Sequence, residues 1–394
     1  MKPSCVQNSI PLRHDPGEAL RVRLQPVFQE ALAGHVFSGA GILVAGPEEV
    51  LFEAAYGAVS FAAGAAPITT ATWFDLASLT KPLATSSLAM MGVSSGWLQL
   101  DEPLGHALEW RPVPDDKRII TIRQLLNHCS GLPAYRPYFR DLVDIPVIER
   151  RATLLKRILR EPLLGAPQTI TAYSDLGFMV LAEIIERRLG MRLDEAVRRF
   201  LFDPADIQEM DFRPVHPGTA PDVRPPAADG LPRVVVAQTE RCPVRSRVLE
   251  GEVHDENAYA LGGVAGHAGL FGTARAIHRW LGVLWGAYRG RTGHKGIAPA
   301  VVREFWRRQH LVPESTWALG FDTPCVSGSS AGERFSANSV GHLGFTGTSF
   351  WLDLDGEILV VLLTNRVHPH REKSSIKSFR PLVHNVVMET VYAR

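Results

Sequence analysis

Apolar residues recur at helical spacing from Gly17 to Leu32 (Leu20, Val22, Leu24, Val27, Phe28, Ala31, Leu32), which predicts an opening helix. Gly39 to Ala45 and Glu49 to Ala55 are apolar or β-branched runs broken by Gly46-Pro47-Glu48, the pattern of a hairpin. Thr70 to Trp73 supplies capping side chains. The stretch from Leu83 to Met91 predicts a buried helix that Gly92 closes. Pro82 fits such a helix only near its first turn, where its missing donor costs nothing. Ser78 then falls at a helix N-terminus, where free amides and the dipole favour developing negative charge.

From Asp101 to Phe212 the pattern is mainly helical, with a helix over Thr121–Leu126 ending near Gly131 and amphipathic segments over Ile148–Leu159, Gly177–Leu189 and Leu193–Phe202. Pro214 to Pro232 is rich in proline and aspartate and reads as an irregular surface excursion. Gly262 to Gly269 is a glycine-rich turn before a helix over Thr273–Tyr288. Thr348–Leu354 and Glu357–Leu363 form a second hairpin around Asp355-Gly356, and a helix over Ser374–Tyr392 closes the chain. Strands and a helix at both ends, with helices between, predict an α/β (α+β) fold. Its antiparallel sheet is built from both chain ends and flanked by helices, and it carries an inserted all-helical domain. The sheet domain takes 16–75 and 255–394; the helical domain takes 76–254, with an irregular 214–250 segment. A site at the seam of the two is expected.

With 394 residues, a net charge of +1 and 21% charged residues, the chain has no basic run or acidic tail suited to nucleic acid. Four scattered cysteines (Cys5, Cys129, Cys242, Cys325) are too few for a disulfide framework and are expected to be free thiols. Met1 to Asp15 lacks the apolar core of a signal peptide, and no run is long enough to span a membrane, so a cytoplasmic location is expected.

The chemistry begins with Ser78-Leu79-Thr80-Lys81. A serine and a lysine three residues apart share a helix face, and a desolvated amine beside a hydroxyl can take its proton. The spacing alone is weak, since Ser374-Ser375-Ile376-Lys377 matches it too, on what should be an exposed helix face. Ser78 is distinguished by two segments downstream of it, in order: Tyr173-Ser174-Asp175, then His342-Leu343-Gly344-Phe345. Tyr173 is expected to relay the proton. Asp175 either orients Lys81, contacts substrate or caps the next helix. The His342 segment is expected to lie as an edge strand beside Ser78, with Gly344 allowing close approach of substrate and His342 contacting it. The amides of Ser78 and Phe345 would then form an oxyanion hole. Gly92-Val93-Ser94-Ser95-Gly96 spells a nucleophile elbow but lacks the preceding strand that motif needs. His254, Asp255, Glu256 and His267 cluster in sequence without metal-ligand spacing; they are read as a loop that lines or organises the site.

The order Ser-x-x-Lys, Tyr-x-Asp, His-x-Gly resembles the active-site elements of the class C β-lactamase-related and penicillin-binding serine hydrolases, from about Gly39 to Asn365. His128-Cys129-Ser130-Gly131-Leu132 and Val264-Ala265-Gly266-His267-Ala268-Gly269-Leu270-Phe271 add to it. The resemblance implies a β-lactamase/transpeptidase-like fold, acylation at Ser78 helped by Lys81 and Tyr173, and no cofactor or metal. It also implies a small-molecule or peptide substrate. Leu343 stands where these enzymes usually carry a carboxylate-holding threonine, and His342 where many carry lysine. Both departures move the expectation from β-lactams and D-Ala-D-Ala peptides toward other esters or amides, including cell-wall-derived peptides or amino-sugar amides. D-Ala-D-Ala carboxypeptidase or β-lactamase activity is the alternative. A catalytically inactive binding protein is the alternative of another class.

Overall fold

The computed structural model describes residues 15–215, 234–291 and 296–393. Cys5 and most of the Met1 to Asp15 and Pro214 to Pro232 segments lie outside them. Helix α1 (Pro16–Ala33) starts where its sequence dictates: Asp15 accepts from the Gly17 amide and Pro16 takes the first position. Such a cap contributes about 1 kcal/mol.

Strands β1 (Gly39–Ala45) and β2 (Val50–Gly57) join β3 (Ser339–Leu343), β4 (Ser349–Asp353) and β5 (Ile358–Thr364). The antiparallel sheet runs β2-β1-β5-β4-β3. Ala40 faces Thr364 and Leu43 faces Val361, so both chain ends meet at its centre, as expected. Every residue of β1 and β5 is buried because both faces are covered. Ile42, Val44, Val360 and Leu362 pack with Leu20, Leu24 and Phe28 of α1 and with Val383 and Val387 of the closing helix. Leu43, Ala45, Val361 and Leu363 turn to the second core. Side chains alternate across a strand, so a doubly covered strand reads as an unbroken apolar run.

The second core is helical. It includes α2 (Ser87–Ser94), α3 (Asp175–Leu189) and α4 (Ala274–Tyr288), while α5 (Ile376–Val391) closes the outer layer beside α1. A short sheet with Leu270–Gly272 between Phe74–Asp75 and Met210–Phe212 ties the nucleophile segment to distant chain. One boundary differs from expectation. Gly92 does not close its helix; α2 runs on to Ser94 and the turn comes at Gly96, with φ +78°. Gly92 is required for packing instead, since a Cβ there would sit 2.7 Å from the Trp97 ring. Among the described residues no helix is long and apolar enough to cross a membrane. Cys129, Cys242 and Cys325 are free.

Candidate active site

Ser78 sits on a 3₁₀ turn (Ala77–Leu79) that passes into a π-helical turn (Lys81–Ser86) before α2. The turn is held from below. Asp75, buried, accepts from the Ala77 amide at 2.8 Å and from the His254 amide at 2.6 Å. Burial raises its carboxyl pKa against the pull of those bonds. Ala77 is left-handed at φ +48°, a conformation costly for alanine that this cap and Thr80 offset.

Lys81 is fully buried, and its Nζ donates to Ser78 Oγ at 3.0 Å, Tyr173 Oη at 2.6 Å and Asp175 Oδ1 at 2.7 Å. Burial alone would lower the Lys81 pKa, but Asp175 and Tyr173 outweigh it and the pKa lies above the ordinary lysine value. Burial likewise raises the Tyr173 hydroxyl, against the pull of Lys81. Here the structure differs from the expected desolvated neutral amine: the resting pair is a charged ammonium beside a neutral phenol, because desolvation has a carboxylate partner at contact distance. Asp175 is not the helix cap. Ser174 caps α3 by accepting from the Gly177 amide, which frees Asp175 for Lys81.

The Tyr173 ring is packed by His128 (4.6 Å between centroids) and stacked on Trp317 (5.3 Å). His128 Nδ1 accepts from the Ser174 amide, fixing the loop that carries Tyr173.

The His342 segment forms the sheet's edge strand β3, and its end meets the nucleophile turn. Thr346 Oγ1 donates to Asp75 O at 2.7 Å and Thr348 Oγ1 to Leu76 O at 3.1 Å. Arg366 holds Phe345 O, and the buried Arg380 holds Gly344 O and Thr348 O. Gly344 is needed for this approach, because a Cβ would come within 2.6 Å of Leu76 O. Among the described residues, neither the Ser78 nor the Phe345 amide donates to an acceptor of the chain. Both residues line a cavity of about 810 Å³ with Tyr173, Asp175, His342, Gly344 and Trp317. His342 is buried and neutral: burial, aided by Lys81, pushes its pKa down to about 3.

The rival motifs separate clearly. Ser94 Oγ donates to Met90 O and accepts from the Ala298 amide at the end of α2, so it is a helix-terminus serine. Ser374 and Lys377 are exposed, as expected, yet they stand on the wall of the same cavity. His254, Asp255, Glu256 and His267 also line it, but in two groups: His267 pairs with Asp255, and His254 pairs with Glu240, which Arg371 links to Glu256. Sequence reasoning missed Asp75, Trp317, Asp322, Arg366 and Arg380. Each sits in an unremarkable local pattern.

A family model described as Beta-lactamase matches residues 24–383. Curated relatives include a protein of Salmonella agona named as a candidate D-alanyl-D-alanine carboxypeptidase. It is 32% identical over 317 residues, covering 76% of this chain and 71% of its own. Among solved structures, EstCE1, a hydrolase with promiscuous acyltransferase activity, superposes with a TM-score of 0.70 at 21% identity, covering 94% of this chain and 99% of its own. Simvastatin synthase from Aspergillus terreus gives a TM-score of 0.69 at 18% identity over 95% of this chain and 99% of its own. At these identities the two structures share the fold.

Proposed function

Because the chain belongs to the beta-lactamase family and is a serine hydrolase of that family, we propose that it hydrolyses an ester or amide through an acyl-enzyme on Ser78. One observation carries the reading: a single buried amine bonds at once to Ser78 Oγ, Tyr173 Oη and Asp175 on the wall of a large cavity. Ser78 Oγ attacks the acyl carbon while the Ser78 and Phe345 amides receive the developing oxyanion. The hydroxyl proton passes into the Lys81–Tyr173 pair, once that pair has lost one proton, and Tyr173 returns it to the departing atom. Water then attacks the acyl-enzyme by the reverse route. Asp175 holds the amine in place.

The test is a panel of short-chain esters, muropeptides and a cephalosporin, run on wild type, Ser78→Ala and Ser94→Ala, together with fluorophosphonate labelling. Ser78→Ala is expected to lose both turnover and label, with a rate drop of about 10³-fold or more. Activity that survives this change and disappears in Ser94→Ala overturns the assignment. A second reading, carboxypeptidase action on D-Ala-D-Ala peptides, draws on the names of the Salmonella relatives. Leu343 weighs against it, since an isobutyl group offers a substrate carboxylate no hydrogen bond.

A further inference from the structure

One end of the cavity carries polar groups that the acylation chemistry does not use. Trp317, Asp322 and His342 line it beside Tyr173. Asp322 arrives there by pairing with the outer edge of β3: its amide donates to Gly341 O at 2.8 Å, and the Gly341 amide donates back to Asp322 O at 2.9 Å. The exposed edge therefore stops at Gly341, and Leu343 is the next strand residue whose backbone faces outward. Among the described residues, the two donors to the Asp322 side chain, Thr316 Oγ1 and the Thr323 amide, both meet Oδ1 and leave Oδ2 without one. No basic side chain among the described residues pairs with it. Arg308 acts on it only through its charge, with its own Nε donating to Ser315 O. Three other carboxylates of the wall are paired: Asp175 with Lys81, Asp255 with His267, Glu256 with Arg371.

His342 adds a second acceptor. Its Nδ1–H donates to Leu343 O at 2.9 Å, which fixes the tautomer and makes Nε2 a lone pair. That nitrogen is buried and has no partner among the described residues. Trp317 contributes a ring whose centroid lies 5.6 Å from that of His342. A carboxylate oxygen, an imidazole lone pair and an indole face are all electron-rich, so they suit a cation with N–H groups to donate. A substrate carboxylate placed against Asp322 Oδ2 and the His342 lone pair would meet two acceptors. The side of the scissile bond follows from Tyr173, which returns the proton to the leaving group and packs against both Trp317 and His342.

We propose that this end is the leaving-group subsite, and that it selects esters or amides whose departing alcohol or amine carries a further protonated amine. It disfavours leaving groups that end in a carboxylate. The inference rests on the acylation at Ser78 already proposed. In that step the Ser78 Oγ–carbon bond forms, the bond from that carbon to the leaving oxygen or nitrogen breaks, and the departing atom takes the proton; the bound ammonium is unchanged.

Three butyrate esters with leaving alcohols of similar size test it: 2-(dimethylamino)ethanol, 3-methyl-1-butanol and 3-hydroxypropanoate. At neutral pH the cationic ester is expected to exceed the neutral one by about ten-fold in kcat/KM, with the carboxylate ester slowest. Asp322→Asn retains an acceptor for Thr316 and Thr323 and is expected to remove most of the cationic-over-neutral ratio. A carboxylate ester cleaved as fast as the cationic one overturns the subsite, as does a ratio untouched by Asp322→Asn. A second measurement needs neither turnover nor the variant. On wild type, 2-(dimethylamino)ethanol is expected to slow Ser78 labelling by an uncharged fluorophosphonate more than 3-hydroxypropanoate does, and the opposite order overturns the subsite. Labelling that fails outright strikes the acylation reading, and the inference with it.

Discussion

Lys81 has three donors whose short bonds go to Ser78, Tyr173 and Asp175, with His267 O farther off at 3.4 Å, so its proton governs how the nucleophile is activated. Its pKa lies above the ordinary lysine value, so the reactive deprotonated form is scarce at neutral pH and grows about ten-fold per pH unit below the pKa. The kcat/KM of an ester is therefore expected to climb from pH 6 to 9, and a pH profile that falls over this range contradicts the proton route. Asp175→Asn removes the charge that counters the burial of Lys81. Its rising limb is expected to move toward lower pH by about one unit or more. The same residues show what local pattern conveys. Ser78-x-x-Lys81 and Ser374-x-x-Lys377 have equal spacing, but only Lys81 is buried beside a carboxylate. Order along the chain distinguished the two before burial did. The protonation state was not legible, because it depends on Asp175, which is 94 residues away.

At the scale of elements, the decisive contact is between the nucleophile turn and the end of β3. Thr346 and Thr348 join the two through the carbonyls of Asp75 and Leu76, with Arg366 and Arg380 bracing the far side. Gly344→Ala would drive a methyl group into Leu76 O and Thr348 Oγ1, which lie 2.6 and 2.0 Å from the ideal Cβ position. It is expected to keep its helical circular dichroism but lose about 10²-fold in ester hydrolysis, since small misplacements of catalytic donors carry such losses. Unchanged kinetics would mean that this approach does not position the oxyanion donors. The strands and most helix starts were legible here. Thr121 and Thr273 cap the helices expected to start there, whereas the α3 cap was misplaced, since Asp175 offered itself for the role that Ser174 takes. Gly92 misled because a glycine inside a helix can serve a neighbouring indole as readily as it ends a helix.

Over the whole molecule, stability rests on a sheet covered on both faces. Leu362, fully buried between α1 and α5, is expected to cost about 2–5 kcal/mol when truncated to alanine. Val22→Ala, on the exposed side of α1, should stay within about 0.5 kcal/mol. Denaturant melts of the two variants check this, and equal losses would contradict the two-layer packing. The sequence by itself determined the elements, the pairing of both chain ends in one sheet, and the order of the Ser78, Tyr173 and His342 segments. The elements follow from periodicities and caps that act within a few residues, the segment order is read directly along the chain, and the shared sheet follows from strands falling at both of its ends. Tertiary structure alone decided the charge on Lys81, the neutrality of His342, and the meeting of Trp317, Asp322 and His342 at one end of the cavity. Protonation and convergence depend on which distant groups fold into contact, and no window along the chain records that.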